Sequence, residues 1–238
     1  MTKSMDKQKI EIFKMEHKKS LEKKVSTLRD MILEDEVALE KKILKLFVLS
    51  LLGHGKDKNQ MRQIAQISKI LGQSLGLDAS YCDRLENAAW VYDIGNMMID
   101  KEIYAKDEKL SFEEFKVVKS HTIVGEHVLK GQGFLVTDLA AVVSSEHHEW
   151  WNGEGYLVQK KNNEIDIASR IVAIADTVGA LFRKRPGRKA WEYEKIVEYI
   201  ESRSGIQFDP DVVEVFLINQ ELIKKVLSTD LDDIPNRW

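Results

Sequence analysis

The sequence predicts an all-α protein, and three observations carry that expectation. Three prolines and thirteen glycines are few for 238 residues, so helix breakers are scarce. Hydrophobic residues make up 43% of the chain and charged ones 32%, a balance that suits amphipathic helices around one substantial core. Apolar residues recur at helical spacing along most of the chain, and no stretch alternates convincingly as a strand would.

Residues 1–43 are rich in Lys and Glu and hold neither proline nor glycine. Leu21, Val25, Leu28 and Ile32 alternate steps of four and three, the seam of a helix that packs on another helix. The stripe fails at Asp35, so it supports a short pairing and not a long coiled coil. Pairing with a second copy would make the segment a homodimerisation helix. Packing on the rest of the same chain, or a solvated lead-in helix, is the plainer reading. The most hydrophobic run, Leu44–Leu52 (LKLFVLSLL), falls far short of the ~20 residues of a membrane span and reads as a buried core helix. Gly53–Lys58 (GHGKDK) breaks the pattern. The expected division is therefore a helical segment over 1–52 and a main domain over 53–238.

Amphipathic stretches and short polar turns alternate from there on. Met61–Leu75 is closed by Gly76, and Ser80–Ile94 by Gly95. Phe112–Lys130 starts behind Ser111, a cap followed by Glu113 and Glu114. Phe134–Glu146 comes next, then Ile167–Leu181, apolar on nearly all sides and hence buried. Trp191–Ser202 and Pro210–Leu227 complete the set, and no internal repeat is visible.

Composition also excludes several functions. A net charge of −3 gives no bulk attraction for a nucleic-acid polymer or an anionic membrane. Cys82 is the sole cysteine, so an internal disulfide and a cysteine-based zinc cluster are both impossible. Any metal site must use His, Asp and Glu. The N-terminus has no apolar secretory segment, and a cytoplasmic location is expected.

The fragment SSEHHEWWNGEGYL (144–157) concentrates metal-ligating and turn-forming residues. Neighbouring helix positions point ~100° apart, so His147 and His148 can share a pocket only near a helix end or across a compact cluster. A surface pair is the plain alternative. The loop that follows is too aromatic for a solvent linker and too glycine-rich for a helix, so it folds on itself or lines a pocket. Asp93 in VYDIGN lies at the wrong end of an apolar helix for its dipole and needs a cation or donors, a nearby turn being the simplest source. Asp176 interrupts the apolar RIVAIADTVGAL, where a lone carboxylate is costly. His121 in VVKSHTIVGEHVL is a third isolated polar group, with a satisfied core histidine as its ordinary explanation.

Taken in order, YDIGN, KSHTIVGEHVL, HHEWWNGEGY, SRIVAIADTVGALFRKRPGRKA and SGIQFDPDVVEVF resemble the HD-GYP domain over roughly residues 60–217. That is the helical branch of the HD phosphohydrolases that hydrolyses cyclic di-GMP in bacteria. The resemblance implies an all-helical fold with a two- or three-metal centre, commonly iron or manganese. It assigns His121, His147, His148 and Asp176 to metal ligation, and Asp93 to the acid that bridges two metals. Tyr156 and Gly155 match the Gly-Tyr of the signature, and Arg185 with Pro186 a pair near the substrate phosphates, followed by Arg188 and Lys189.

The sequence departs from the family at specific places. Tyr92 stands where the His-Asp pair has histidine, Asn96 where a phosphate-contacting lysine belongs, and Gln60, or by a one-residue slip Asn59, at an earlier histidine. Leu157, Asn152 and Gly179 replace a proline and two acids of the motifs. One ligand set has thus lost two imidazoles and keeps Asp93 and Asp176, while Asp93, His121, His147 and His148 survive whole. The expectation is one divalent metal; the donors could hold Fe, Mn, Zn or Ni, and the resemblance favours Fe or Mn. Tyr92 as a phenolate ligand is opposed by its ordinary pKa of ~10.

Two functions follow. The first is a degenerate domain with one metal and weak or lost cyclic di-GMP hydrolysis, acting as a nucleotide sensor or protein-interaction module. The second is a working phosphodiesterase that attacks with metal-bound hydroxide. A purely structural protein with a relic site is a third reading, and the intact histidine set speaks against it. Asp93 and Glu149 are the candidates for catalysis, Glu149 also for orienting an imidazole. Tyr156, Arg185, Arg188 and Trp151 are the candidates for binding cyclic di-GMP or a related nucleotide, Trp151 by stacking on a base, with core packing its equally good explanation. His17, His54 and His127 match nothing in the family and are expected at the surface.

Overall fold

A computed structural model of the chain describes residues 23, 26, 27, 31, 33–104, 106, 108–184 and 189–229. Two compact units divide it, Met1–Ile43 and Leu44–Trp238. The described residues of the first unit are helical, with Leu33, Val37 and Leu39 exposed. The Leu21, Val25, Leu28 and Ile32 stripe lies outside the described residues.

The second unit is helical throughout, and no strand forms among the described residues. Helix α1 (residues 44–53) buries Leu44, Val48 and Leu51, which the four-then-three spacing puts on one face. Leu46 and Leu49 of the same run point outward, so the expected core helix is buried on one side only. Helix α2 (Lys58–Ser74) starts behind Asp57, whose carboxylate accepts from the Gln60 backbone N–H. Helix α3 (Ala79–Ala88) is capped the same way by Asp78.

The chain leaves the predicted helical register here. The sequence pattern runs the third helix to Ile94, but it stops at Ala88 and passes through turns into a 3-10 segment, Ile94–Met98, then α4 (Lys101–Tyr104). Phe112–Lys130 is two helices, α5 (Phe112–Lys119) and α6 (His121–Leu129). The reason is Ser120, whose N–H and hydroxyl both donate to the Val117 carbonyl at 3.1 and 2.6 Å. Ser111 and Glu114 form the reciprocal capping pair that starts α5.

Helices α7 (Leu135–Glu146), α8 (Ile167–Phe182), α9 (Tyr193–Ser202), α10 (Pro210–Ile218) and α11 (Gln220–Ser228) follow. The predicted Pro210–Leu227 helix is split at Asn219, whose side-chain amide donates to Val215 O at 2.7 Å and to Ser74 Oγ of α2 at 2.9 Å. Helix α8 packs along α2, with Ile171, Val172, Ile174, Ala175 and Val178 buried, as its all-round apolarity predicts. No helix among the described residues is long and apolar enough to cross a membrane.

A turn at 203–209 anchors the aromatic loop. Trp151 and Asn152 donate their backbone N–H groups to Gln207 O and Ile206 O at 3.1 and 3.0 Å. Asp209 caps α10 through the Asp211 N–H and accepts from Arg170 of α8 at 2.5 Å, with its own side chain 1% exposed. Asp209→Ala therefore removes a cap and leaves a largely buried guanidinium without its carboxylate partner. The expected loss is about 3–5 kcal/mol of stability, read as a lowered denaturation midpoint in urea.

Candidate metal centre

The centre is built where three backbones nearly touch. A Cβ at Gly95 would stand 2.0 Å from His121 O and 2.6 Å from Gly125 N, and one at Gly125 would stand 2.1 Å from Ser144 Oγ. The 3-10 segment, α6 and α7 can meet this closely only because neither position carries a side chain. Asp93 precedes the first element, His121 opens the second, and His147 caps the end of the third. One contact thus brings three distant residues to one point.

Each histidine is held in a defined way. His121 Nδ1 lies 2.6 Å from Val118 O, and His147 Nδ1 lies 2.9 Å from Val143 O and 3.0 Å from Ser144 O. Carbonyls can only accept, so Nδ1 carries the proton and Nε2 keeps its lone pair for a ligand. The two Nε2 atoms are 3.4 Å apart. His148, on the following turn, stacks on Tyr156 at 4.8 Å between centroids. Ligand nitrogens of His121, His147 and His148 all lie within 4.8 Å of one another.

Charge follows the same plan. Burial, then the nearby His121, pushes the His147 imidazole below the ordinary histidine range. Burial, then His147 and His121, holds His148 well below it. Both rings are therefore neutral at pH 7, the form that binds metals. Asp93 makes no cap hydrogen bond to its own turn. Its Oδ1 lies 3.4 Å from His121 Nε2 and 3.9 Å from His147 Nε2, and its Oδ2 accepts from Lys56 at 2.6 Å. Burial alone would raise this carboxyl, but the Lys56 ammonium holds it well below the usual carboxylate range.

Gln60, Tyr92 and Asn96, where the sequence departs from the HD-GYP resemblance, line the cavity beside the cluster. Tyr92 is buried, sits edge-on to His147 and donates its hydroxyl to Asp176 Oδ1 at 2.9 Å. Asp176 thus finds the partner that its place in an apolar helix demands, and that partner is a neutral phenol. Gln60, Asn96 and Asp176 line, with Asp93, His121, His148 and Tyr156, a cavity of about 750 Å³. Lys56, Lys106, Arg183 and Lys184 bring cations to its wall, and Asp57 pairs with Arg183.

The profile of the HD domain family matches residues 31–212. This chain belongs to the HD domain family. A cyclic di-GMP phosphodiesterase of Thermotoga maritima is 30% identical over 226 residues, 93% of this chain and 61% of that protein. A 3'3'-cGAMP-specific phosphodiesterase of Vibrio cholerae is 31% identical over 157 residues, 66% of this chain and 30% of that protein. The chain therefore spans less than two thirds of the length of these relatives. In fold it is similar to the HDG"Y"P protein Bd1817 of Bdellovibrio bacteriovorus, with a TM-score of 0.56, 17% identity, and coverage of 69% of this chain and 51% of that one.

The remaining candidate residues of this HD domain are placed as follows. Tyr156 lines the cavity, its phenol pushed up by burial and then by Asp176 and Asp93. Gly155 permits this, because a Cβ there would lie 2.3 Å from Trp150 N. Glu149 is not among the lining residues. It is buried, and its Oε1 accepts from the Val158 and Gln159 N–H groups at 2.7 and 3.1 Å, which ties down the loop that carries Tyr156. Trp151 is also away from the cavity wall, because its backbone is tied to the 203–209 turn and its ring lies under the Arg170 guanidinium at 5.6 Å. Arg185 and Arg188 lie outside the described residues.

Two lining residues were not expected from sequence. His54 lines the cavity instead of standing free on the surface, and Lys56 reaches Asp93. Only their position in the short GHGKDK turn directly before α2, the helix carrying Gln60, signals this. Gly95→Ala is expected to force the 3-10 segment off α6, at a cost of about 3 kcal/mol or more. Thermal denaturation of the variant checks this, and its Mn(II) affinity should fall with its stability.

Proposed function

We propose that this HD domain binds one divalent metal, Fe or Mn before Zn or Ni, and takes cyclic di-GMP or a related cyclic dinucleotide with weak or lost hydrolysis. It would then act as a nucleotide sensor or as a module for a protein partner. The reading rests on one observation above others: the pairing of neutral Tyr92 with Asp176, beside an intact group of three imidazoles and Asp93.

The donor set suits a single ion. His121, His147 and His148 offer three imidazole nitrogens, and Asp93 Oδ1 faces the same space. A bound divalent ion supplies Lewis acidity, which acidifies water and withdraws charge from a phosphoryl oxygen. The chain's own groups do the rest. Val118, Val143 and Ser144 carbonyls hold the imidazole protons away from the ligand side. Glu149 fixes the Tyr156 loop against one wall of the cavity. Lys106, Arg183 and Lys184 give a wall suited to the two phosphates of a cyclic dinucleotide.

Loss of the second ion's histidines argues for slow chemistry, since one ion cannot clamp both the attacking and the leaving oxygen. A working phosphodiesterase is the second reading, and the activities named for the curated relatives favour it.

Elemental analysis of protein loaded with Mn(II) or Fe(II) should return about one metal per chain, and His148→Ala or His121→Ala should lower affinity at least ~10-fold. Cyclic di-GMP incubated with the loaded protein should bind and persist on chromatography. Rapid conversion to a linear dinucleotide or to GMP would favour the second reading.

A further inference from the structure

The geometry points to Lys56 as a resident cation that takes the place of the second metal ion. The inference rests on the one-ion reading above. A carboxylate that bridges two ions gives one oxygen to each, and Asp93 divides its oxygens in that way here. Its Oδ1 faces the imidazoles of His121 and His147, and its Oδ2 is held by the Lys56 ammonium at 2.6 Å.

The lysine is delivered by its backbone. Gly55 adopts φ +103°, a conformation that favours glycine, and the Lys56 N–H donates to Leu51 O at the end of α1 at 3.0 Å. Asp57 is then committed to capping α2. Lys56 is thus fixed between the end of one helix and the cap of the next, with its side chain 26% exposed.

Its surroundings fit that role and not a second ion. The same wall holds the Asp176 carboxylate, whose Oδ1 accepts from Tyr92, and at the two positions where the resemblance has histidines it presents the Tyr92 phenol and the Gln60 amide. Neither is a strong ligand for a hard divalent cation. A fixed ammonium neutralises the half-buried carboxylate without needing further ligands. The second position is therefore filled by the chain and not merely stripped of ligands, so restoring histidines alone cannot reopen it.

The test compares Mn(II) binding by wild type, Lys56→Met and Lys56→Arg, followed by electron paramagnetic resonance. It adds metal content by mass spectrometry for Gln60→His/Tyr92→His with and without Lys56→Met. Lys56→Met frees Asp93 and removes a positive charge near the ion, so its Kd should tighten at least ~10-fold, while Lys56→Arg stays within ~3-fold of wild type. The double variant should keep the wild-type stoichiometry, and the triple variant should gain one ion. An unchanged or weaker Kd for Lys56→Met overturns the inference, as does a second ion in the double variant with Lys56 in place. Because Tyr92 is buried, a triple variant that fails to fold leaves the decision to Lys56→Met, a partly exposed site. Failure of the one-ion reading is separate: it shows in wild type alone, as no ion or as two, and two would sink both.

Discussion

The approach of Gly95 to Gly125 is the contact on which the centre depends. A single added methyl at either position would collide with backbone or with Ser144. Without that approach, the acid after α3, the histidine opening α6 and the histidine closing α7 would stand on separate elements with no common focus. The packing of small residues, and not attraction among ligands, is what assembles the cluster. Desolvation follows from the same packing: it keeps His147 and His148 neutral and makes Asp93 depend on nearby positive charge.

A second level of order lies behind the imidazoles. Their Nδ1 protons are held by carbonyls one helical turn back, a consequence of histidines that sit at or beside helix termini. Glu149 does comparable work for the loop that carries Tyr156, accepting from two of its backbone amides. Tyr92 fits where a ring is needed and satisfies Asp176, and Lys56 satisfies Asp93.

Much of this was legible in the sequence, for reasons that differ by residue. Periodicity gave the all-α class and the buried α8, because apolar spacing reports burial directly. Asp176 announced a partner because an unpaired carboxylate in an apolar helix is costly. Helix breaks at Ser120 and Asn219 were missed, since both depend on side chains bonding locally to backbone within stretches whose hydrophobic pattern is uninterrupted. Lys56 and His54 were missed for another reason: long-range proximity of a turn to a distant carboxylate leaves no trace in spacing. Trp151 looked like a stacking surface from its type alone, while its place was set by backbone bonds to a turn more than fifty residues later in the chain.

The central claim is that one ion is shared by His121, His147, His148 and Asp93. Anomalous diffraction from crystals of the protein grown with Mn(II) or Fe(II) tests it most directly. The account predicts a single strong peak within ligand distance of His121 Nε2, His147 Nε2, a ring nitrogen of His148 and the Asp93 carboxylate, with Lys56 beside it. Two peaks of comparable height, or one peak flanked by Asp176 and Gln60 with the imidazoles turned away, would contradict it.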